Sequence, residues 1–220
     1  TSPDLSVGNV FIGTFSFEEF LILTPEEDQM ENEDLRNFRL VELLKDTGNE
    51  GYKCREFLRC MAIVNNVEFE EDDQATFKAT SPDELAFVKS ASMYISRTVD
   101  EKFFPIVEDE DDDDAGVTAY EYSILFQFDF THEHRRMSML TAFRDENDND
   151  RISLYLKGAL DVLQSRVDLA LSPDFEDILI KMEDKMDRGY RSMFFCKRDF
   201  TVKELYKIFL DFFPDLKKQR

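Results

Sequence analysis

The chain has 220 residues, enough for one sizeable hydrophobic core or two small ones, and its 42% hydrophobic content with 22 phenylalanines argues against wholesale disorder. The formal net charge is −21, from 48 acidic and 27 basic residues. Nucleic acid and anionic membrane surfaces are therefore poor partners, because both attract an excess of Lys and Arg. The 3 cysteines form no CxxC pair. This argues against a disulfide framework or a zinc knuckle and indicates a reducing, cytosolic setting.

The first half of the chain predicts short strands followed by three helices. Two apolar runs, "NVFIGTF" and "FEEFLIL", indicate strands. Helical spacing of apolar residues predicts one helix in "ENEDLRNFRLVELLKD", ended by Thr47 and Gly48, and a second in "YKCREFLRCMAIV". The polar stretch 65–73 predicts a loop. A short strand, "ATFKAT", and a third helix beginning at Ser81 follow.

The second half predicts a strand-rich centre and more helices. The run "KFFPIV" leads into "EDEDDDD" at 108–114, where self-repulsion predicts a solvated, disordered loop. Three strands are predicted next, in "AYEYSILFQFDF", "RRMSMLTAF" and "RISLYLK". The chain is completed by a predicted helix at 159–170, another from Ser172, the strand "RSMFFCK" and the helix "TVKELYKIFLDFF". Without βαβ alternation, this order predicts a single α+β domain over 1–220, with an antiparallel or mixed β-sheet, mainly antiparallel, flanked by helices on both sides.

The segment "SPDELAFV" at 81–88 carries a helix-start signal. Ser81 suits the N-cap, Pro82 the first helical position and Glu84 the third, which together predict a capping box. The tripeptide "SPD" also occurs at 2–4 and 172–174, so helix initiation is its first interpretation. A binding role for Glu84 stays open as the alternative.

The segment "FDFTHEHRRMSML" at 128–140 holds both histidines and allows three interpretations: a polar bend, a metal site or an aromatic platform. Phe126, Phe128 and Phe130 share one face of an extended strand, which normally means core. Phe130 is the last of them, beside a polar bend where a ligand could reach it. His132 and His134 would share a face if the strand continued. Zinc needs three or four such ligands, which argues against a metal site.

Two later segments could meet an anion. In "LYLKGAL", Lys157 ends a predicted strand and Gly158 precedes a predicted helix, whose N-terminus attracts negative charge. In "DRGYRSMFF", Gly189 suits the end of a helix and Arg191 stands at the start of the next predicted strand.

Taken in order, "SPDELAFVKSA", "FDFTHEHRRMSM", "LYLKGA" and "GYRSMFF" resemble the nucleotide-binding (N) domain of P-type ATPases, most of all the type IV phospholipid flippases. The flippase pattern is roughly S-P-D-E-x-A-L-V, F-x-S-x-R-K-R-M-S, K-G-A-D and G-L-R-T-L. The resemblance covers about residues 51–200. This chain departs from the pattern at four positions: His134 for a basic residue, Leu160 for the aspartate of K-G-A-D, and Tyr190 and Met193 for two leucines.

The resemblance implies a site built around a purine base. Phe130 would stack on adenine, and Glu84 would form a hydrogen bond near the adenine edge. Lys157 would line the base pocket and reach the ribose-phosphate side, while Gly158 would let the backbone come close.

It also implies residues beside the base. Arg191 would face the phosphates, and Met137 and Ser138 would shape the strand next to the pocket. The implied ligand is ATP. Mg²⁺ would bind together with the phosphorylation domain of a parent protein.

The expected partners are the phosphorylation and actuator domains of that parent. No apolar run approaches the ~20 residues that a membrane span needs, and no D-K-T-G-T motif is present. The chain is therefore expected to be a soluble, monomeric cytosolic domain excised from an integral membrane transporter, holding ATP without hydrolysing it alone. Two alternatives stay open: a catalytically silent, regulatory relative, and an acidic interaction module whose tract at 108–114 recruits a basic partner or Ca²⁺.

Overall fold

The computed structural model describes residues 9–12, 15–18, 38–69, 77–78, 81–92, 94–97, 102–105, 120–144 and 150–212. The strands are β1 (Asn9–Ile12), β2 (Phe15–Glu18), β3 (Glu68–Phe69), β4 (Phe77–Lys78), β5 (Ile95–Arg97), β6 (Lys102–Pro105), β7 (Tyr120–Phe128), β8 (Arg136–Arg144), β9 (Asp150–Gly158) and β10 (Phe194–Phe200). The helices are α1 (Phe38–Lys45), α2 (Asn49–Ile63), α3 (Pro82–Ser92), α4 (Leu160–Leu163), α5 (Phe175–Asp187) and α6 (Val202–Phe212).

A six-stranded sheet forms the centre of the described structure. Its strand order is β10-β9-β8-β7-β6-β5, and every neighbouring pair is antiparallel. Two small antiparallel ribbons, β1-β2 and β3-β4, lie outside this sheet. The prediction of a mainly antiparallel α+β fold is confirmed.

Helices cover both faces of the sheet, as predicted. On one face, Met137, Met139 and Tyr155 belong to a buried cluster with residues of α1, α2 and α3. On the other, Leu156 and Phe194 belong to a second cluster with residues of α4 and α5. Successive residues of a strand point to opposite faces, so β9 contributes alternately to the two cores.

The element boundaries differ from the predictions in several places, and the predicted loop at 65–73 contains the short strand β3. Helix α2 begins at Asn49, directly after Gly48, which is three residues before its apolar pattern indicated, and it ends at Ile63, one residue earlier than predicted. The helix predicted over 159–170 is shorter, because α4 ends at Leu163 and only a 3₁₀ turn, Gln164–Arg166, follows. Beyond that turn, the side chain of Asp168 accepts a hydrogen bond from the Ala170 N–H at 3.0 Å, an arrangement that competes with helix formation.

Some predicted features lie outside the described residues. The acidic tract at 108–114 is one, and most of the second predicted strand is another. Among the described helices, none combines the length and the apolar character that a membrane crossing requires.

A buried charged network joins α2 to the sheet. The Glu56 carboxylate accepts a hydrogen bond from the Tyr155 hydroxyl at 2.8 Å and lies 2.6 Å from the Lys197 ammonium. Arg59, one turn further along α2, pairs with the same carboxylate. Burial alone would raise the pKa of Glu56, but Arg59 and Lys197 outweigh it and hold that pKa below its ordinary 4.5. The carboxylate is therefore the common anion for two buried cations.

We expect Glu56→Gln to lower the free energy of unfolding by about 3–5 kcal/mol, because it removes the buried carboxylate that Arg59 and Lys197 share. Urea unfolding followed by circular dichroism measures this change. Glu183→Gln, at an exposed position of α5, removes the same charge and should stay within about 0.5 kcal/mol of the parent chain. Equal effects of the two substitutions would show that the network contributes no more than net charge.

Candidate functional site

The connection between β7 and β8 forms a compact bend that exposes Phe130. The Arg135 N–H donates to the Thr131 carbonyl at 2.7 Å, and the His134 N–H donates to the Thr131 hydroxyl at 3.1 Å. Arg135 adopts a left-handed conformation with φ of 46°, which is uncommon for a residue other than glycine. The Phe130 ring is 52% exposed and meets the His132 ring edge to face, with centroids 5.7 Å apart.

The other two phenylalanines of this segment are exposed too. Phe126 is 50% and Phe128 is 55% exposed, so the interpretation of the three rings as core is wrong. Their strand partners Leu140 and Ser138 place them on the sheet face that α4 and α5 cover. The cluster made by those helices lies against β9 and β10, so the rings on β7 extend beyond it. Phe126 instead meets Phe209 of α6, at 6.3 Å between ring centroids.

A buried ion pair lies at the end of β9. The Lys157 ammonium is 2.6 Å from the Glu84 carboxylate, and their side chains are only 7% and 12% exposed. Lys157 is flanked by Met137 on β8 and Phe195 on β10, so it faces the helices α2 and α3. Burial lowers the pKa of Lys157 below its ordinary 10.5, and the Glu84 carboxylate offsets only part of that effect.

This pairing changes the interpretation of the helix start. The Ser81 hydroxyl accepts a hydrogen bond from the Glu84 N–H at 3.4 Å, which is the first half of the predicted capping box. The Glu84 carboxylate does not complete the box, because it bonds to Lys157 and to the Asn66 N–H, at 3.3 Å. The Glu84 side chain therefore connects α3 to β9 and does not cap its own helix.

Arg191 lies beside this pair. Its guanidinium is 2.6 Å from the carboxylate of Asp83, the residue before Glu84 in the first turn of α3. Arg191 was predicted at the start of a strand, but β10 begins only at Phe194 and Arg191 lies in the preceding irregular segment. Its side chain is 71% exposed, whereas that of Asp83 is 24% exposed.

An amide bridge connects the bend to α3. Asn66 donates through its side chain to Asp129, the neighbour of Phe130, at 3.4 Å, while its backbone N–H reaches Glu84. Gln127 donates to both Asn66 and Asp129, at 2.7 Å in each case. These contacts connect Asp129, the residue before Phe130, through Asn66 to Glu84 and so to the pair Glu84–Lys157. Asp83 and Asp129 lie inside the motifs and Gln127 directly precedes one, but nothing in the sequence indicated that they or Asn66 would make these contacts.

The remaining predicted site residues are interior. Met137 and Ser138 are both buried within β8. Met137 is the direct strand partner of Lys157, whereas Ser138 pairs with Leu156 and so lies on the opposite sheet face. Met137 can support the Lys157 side chain from the neighbouring strand, but Ser138 is separated from Lys157 by the sheet.

Gly158 allows two strands to approach closely. A Cβ atom built on it would lie 2.9 Å from the Arg135 carbonyl oxygen and 2.9 Å from the Arg136 Cβ. The Ala159 N–H donates to that same Arg135 carbonyl at 3.3 Å. Gly158 therefore fixes where the bend that carries Phe130 meets β9. A third ion pair, between Arg135 and Asp161 at 2.5 Å, connects the bend to α4.

Among the described residues, no group of three or more His, Cys, Asp and Glu side chains has the arrangement of a metal site. His132 and His134 lie in the bend and do not continue a strand.

The sequence model of one protein family, P-type ATPase cytoplasmic domain N, matches residues 53–216. The match spans most of the 220 residues and includes every residue of the site described above. The chain belongs to this family. Membership implies a nucleotide-binding role for the N domain and a parent protein with further domains. A comparison with curated proteins gave no match.

We expect Gly158→Ala in this N domain to displace the bend, because neither the Arg135 carbonyl nor the Arg136 Cβ can move without shifting β8. Backbone amide shifts of residues 129–136 in ¹H–¹⁵N spectra should change more than those of α5. Gly189→Ala is the matched control: Gly189 has φ of +88° with open space around its Cβ position, so its cost of about 1–2 kcal/mol is purely local backbone strain. Unchanged bend signals in Gly158→Ala would contradict the packing role.

Proposed function

We propose that this N domain binds ATP with the adenine stacked on Phe130. The half-exposed Phe130 ring carries the proposal, because it offers a flat apolar face one residue from Asp129, which Asn66 links to Glu84 of the buried pair. Glu84 is within the same bonded network as the bend and can accept from the adenine amino group. Arg191, in the exposed pair, is the cation that can turn to the phosphates.

Charge supports recognition through the base. With a net charge of −21, long-range attraction of anionic ATP is weak. Stacking on an aromatic side chain contributes about 1–3 kcal/mol. With a few hydrogen bonds and one or two local cations, the total is about −4 to −5 kcal/mol, which corresponds to roughly millimolar binding.

We further propose that the chain is one domain of a phospholipid-translocating flippase. The support is the order of four segments, from "SPDELAFV" to "GYRSMFF", that resemble the flippase pattern. In the parent, this domain would present the γ-phosphate to an aspartate of a separate phosphorylation domain. Closure of the two domains would complete the Mg²⁺ site. The isolated domain would hold ATP without hydrolysing it.

A second candidate is a catalytically silent relative that keeps the fold for regulation. The departures from the flippase pattern at Leu160, Tyr190 and Met193 favour it. The two candidates differ in the parent gene: a D-K-T-G-T aspartate encoded upstream supports an active ATPase, whereas a different residue at that position supports the silent relative.

Phe130→Ala should weaken the binding of ATP and of AMP alike, by about 5- to 150-fold, because both lose the same stacking energy. Titration of ¹⁵N-labelled protein measures both affinities, and the two nucleotides should shift the same amides. Phe128→Ala is the matched control. Phe128 is 55% exposed at the end of β7, but it lies on the sheet face opposite Lys157. Retained ATP binding in Phe130→Ala, or an equal loss in Phe128→Ala, would refute the assignment.

A further inference from the structure

Lys157, Arg135 and Arg191 each have a carboxylate partner, but the pairs differ in exposure. Lys157–Glu84 is 7% and 12% exposed, whereas Arg191–Asp83 is 71% and 24% exposed. Opening a buried pair leaves a desolvated charge without its partner, whereas an exposed pair is screened by water and contributes little. An arriving phosphate can therefore exchange with a carboxylate at Arg191, but not at Lys157.

The two members of the exposed pair also differ in freedom. Asp83 belongs to the first turn of α3, and the next residue, Glu84, is held by Lys157 and by the Asn66 N–H. Arg191 lies outside any helix or strand, in the segment between α5 and β10. If the pair opens, the guanidinium moves and the Asp83 carboxylate stays.

We propose that Asp83 is an internal competitor of the nucleotide phosphates for Arg191, and that it sets how strongly the site favours ATP over adenosine. This inference rests on the proposed nucleotide function and deepens it. A ligand without phosphate leaves the Arg191–Asp83 pair intact and gains only the contacts to the base. A ligand with phosphates must first separate the pair, so part of its electrostatic gain is lost.

The test uses the 220-residue chain and titrations with ATP and with adenosine, followed by ¹⁵N amide shifts. Asp83→Asn should bind ATP about two- to fivefold more tightly, because it frees Arg191 from a partner of modest strength. Adenosine affinity should stay within twofold. The gain for ATP should shrink as salt is raised, since exposed charges are screened.

A double-mutant cycle separates competition from simple repulsion. In an Arg191→Gln background, Asp83→Asn should have little effect on ATP affinity, because the cation to be released is gone. An equal gain in both backgrounds would overturn the proposal in favour of direct repulsion between Asp83 and the phosphates. Asp184→Asn, which removes a carboxylate from the exposed Arg188 pair on α5, controls for net charge and should leave ATP affinity unchanged.

Failure of this inference is distinguishable from failure of the proposed function. If wild-type protein binds both ATP and adenosine but Asp83→Asn leaves their affinity ratio unchanged, Asp83 is not a competitor and the nucleotide site stands. If wild-type protein binds neither ligand at millimolar concentration, the proposed function itself fails and this inference falls with it.

Discussion

The buried ion pair between Lys157 and Glu84 connects the end of β9 to the first turn of α3, across 73 residues of chain. A desolvated charge is tolerated only with its partner, so this contact fixes both elements relative to each other. The position of Asp83 follows, because it is the preceding residue of the same helix turn. Asp83 in turn contacts the exposed guanidinium of Arg191.

The same pair limits how the site can use its charges. Glu84 compensates the charge of the Lys157 ammonium, while burial lowers the pKa of Lys157. Arg191 and Arg135 are more exposed, and each also has a carboxylate partner. In a chain of net charge −21, these three cations are therefore compensated, and the proposed binding rests mainly on the exposed Phe130 ring.

The antiparallel sheet decides which residues are structural and which are accessible. Alternation along β9 sends Tyr155 and Lys157 to the face covered by α2 and α3, and Leu156 to the opposite core. On the first face, Glu56 gathers Arg59, Lys197 and Tyr155 into a second buried polar network. The Glu56 network and the Lys157–Glu84 pair thus both attach helices to the same face of the sheet.

Local signals were sufficient for most of the fold. Period-two and helical spacing located β7 to β10 and the helices α2, α3 and α5 within a few residues, since each depends on neighbours in sequence. Gly189 ends α5 as predicted, with the Tyr190 N–H donating to the Lys185 carbonyl at 3.2 Å. The predicted length of the helix over 159–170 was wrong, because the side chain of Asp168 offers the backbone a competing hydrogen bond.

The sequence by itself determined the fold class, the order of the elements and the resemblance of four segments to one family, because all of these are written in short-range patterns. It could not determine that the Glu84 carboxylate would pair with Lys157, 73 residues away, and not with its own helix N-terminus. Nor could it determine that Asp83 would pair with Arg191. Nor could it show that Phe126 and Phe128 would be exposed. Pairing and exposure depend on which surfaces the tertiary structure brings together, and that information is absent from any single stretch of chain.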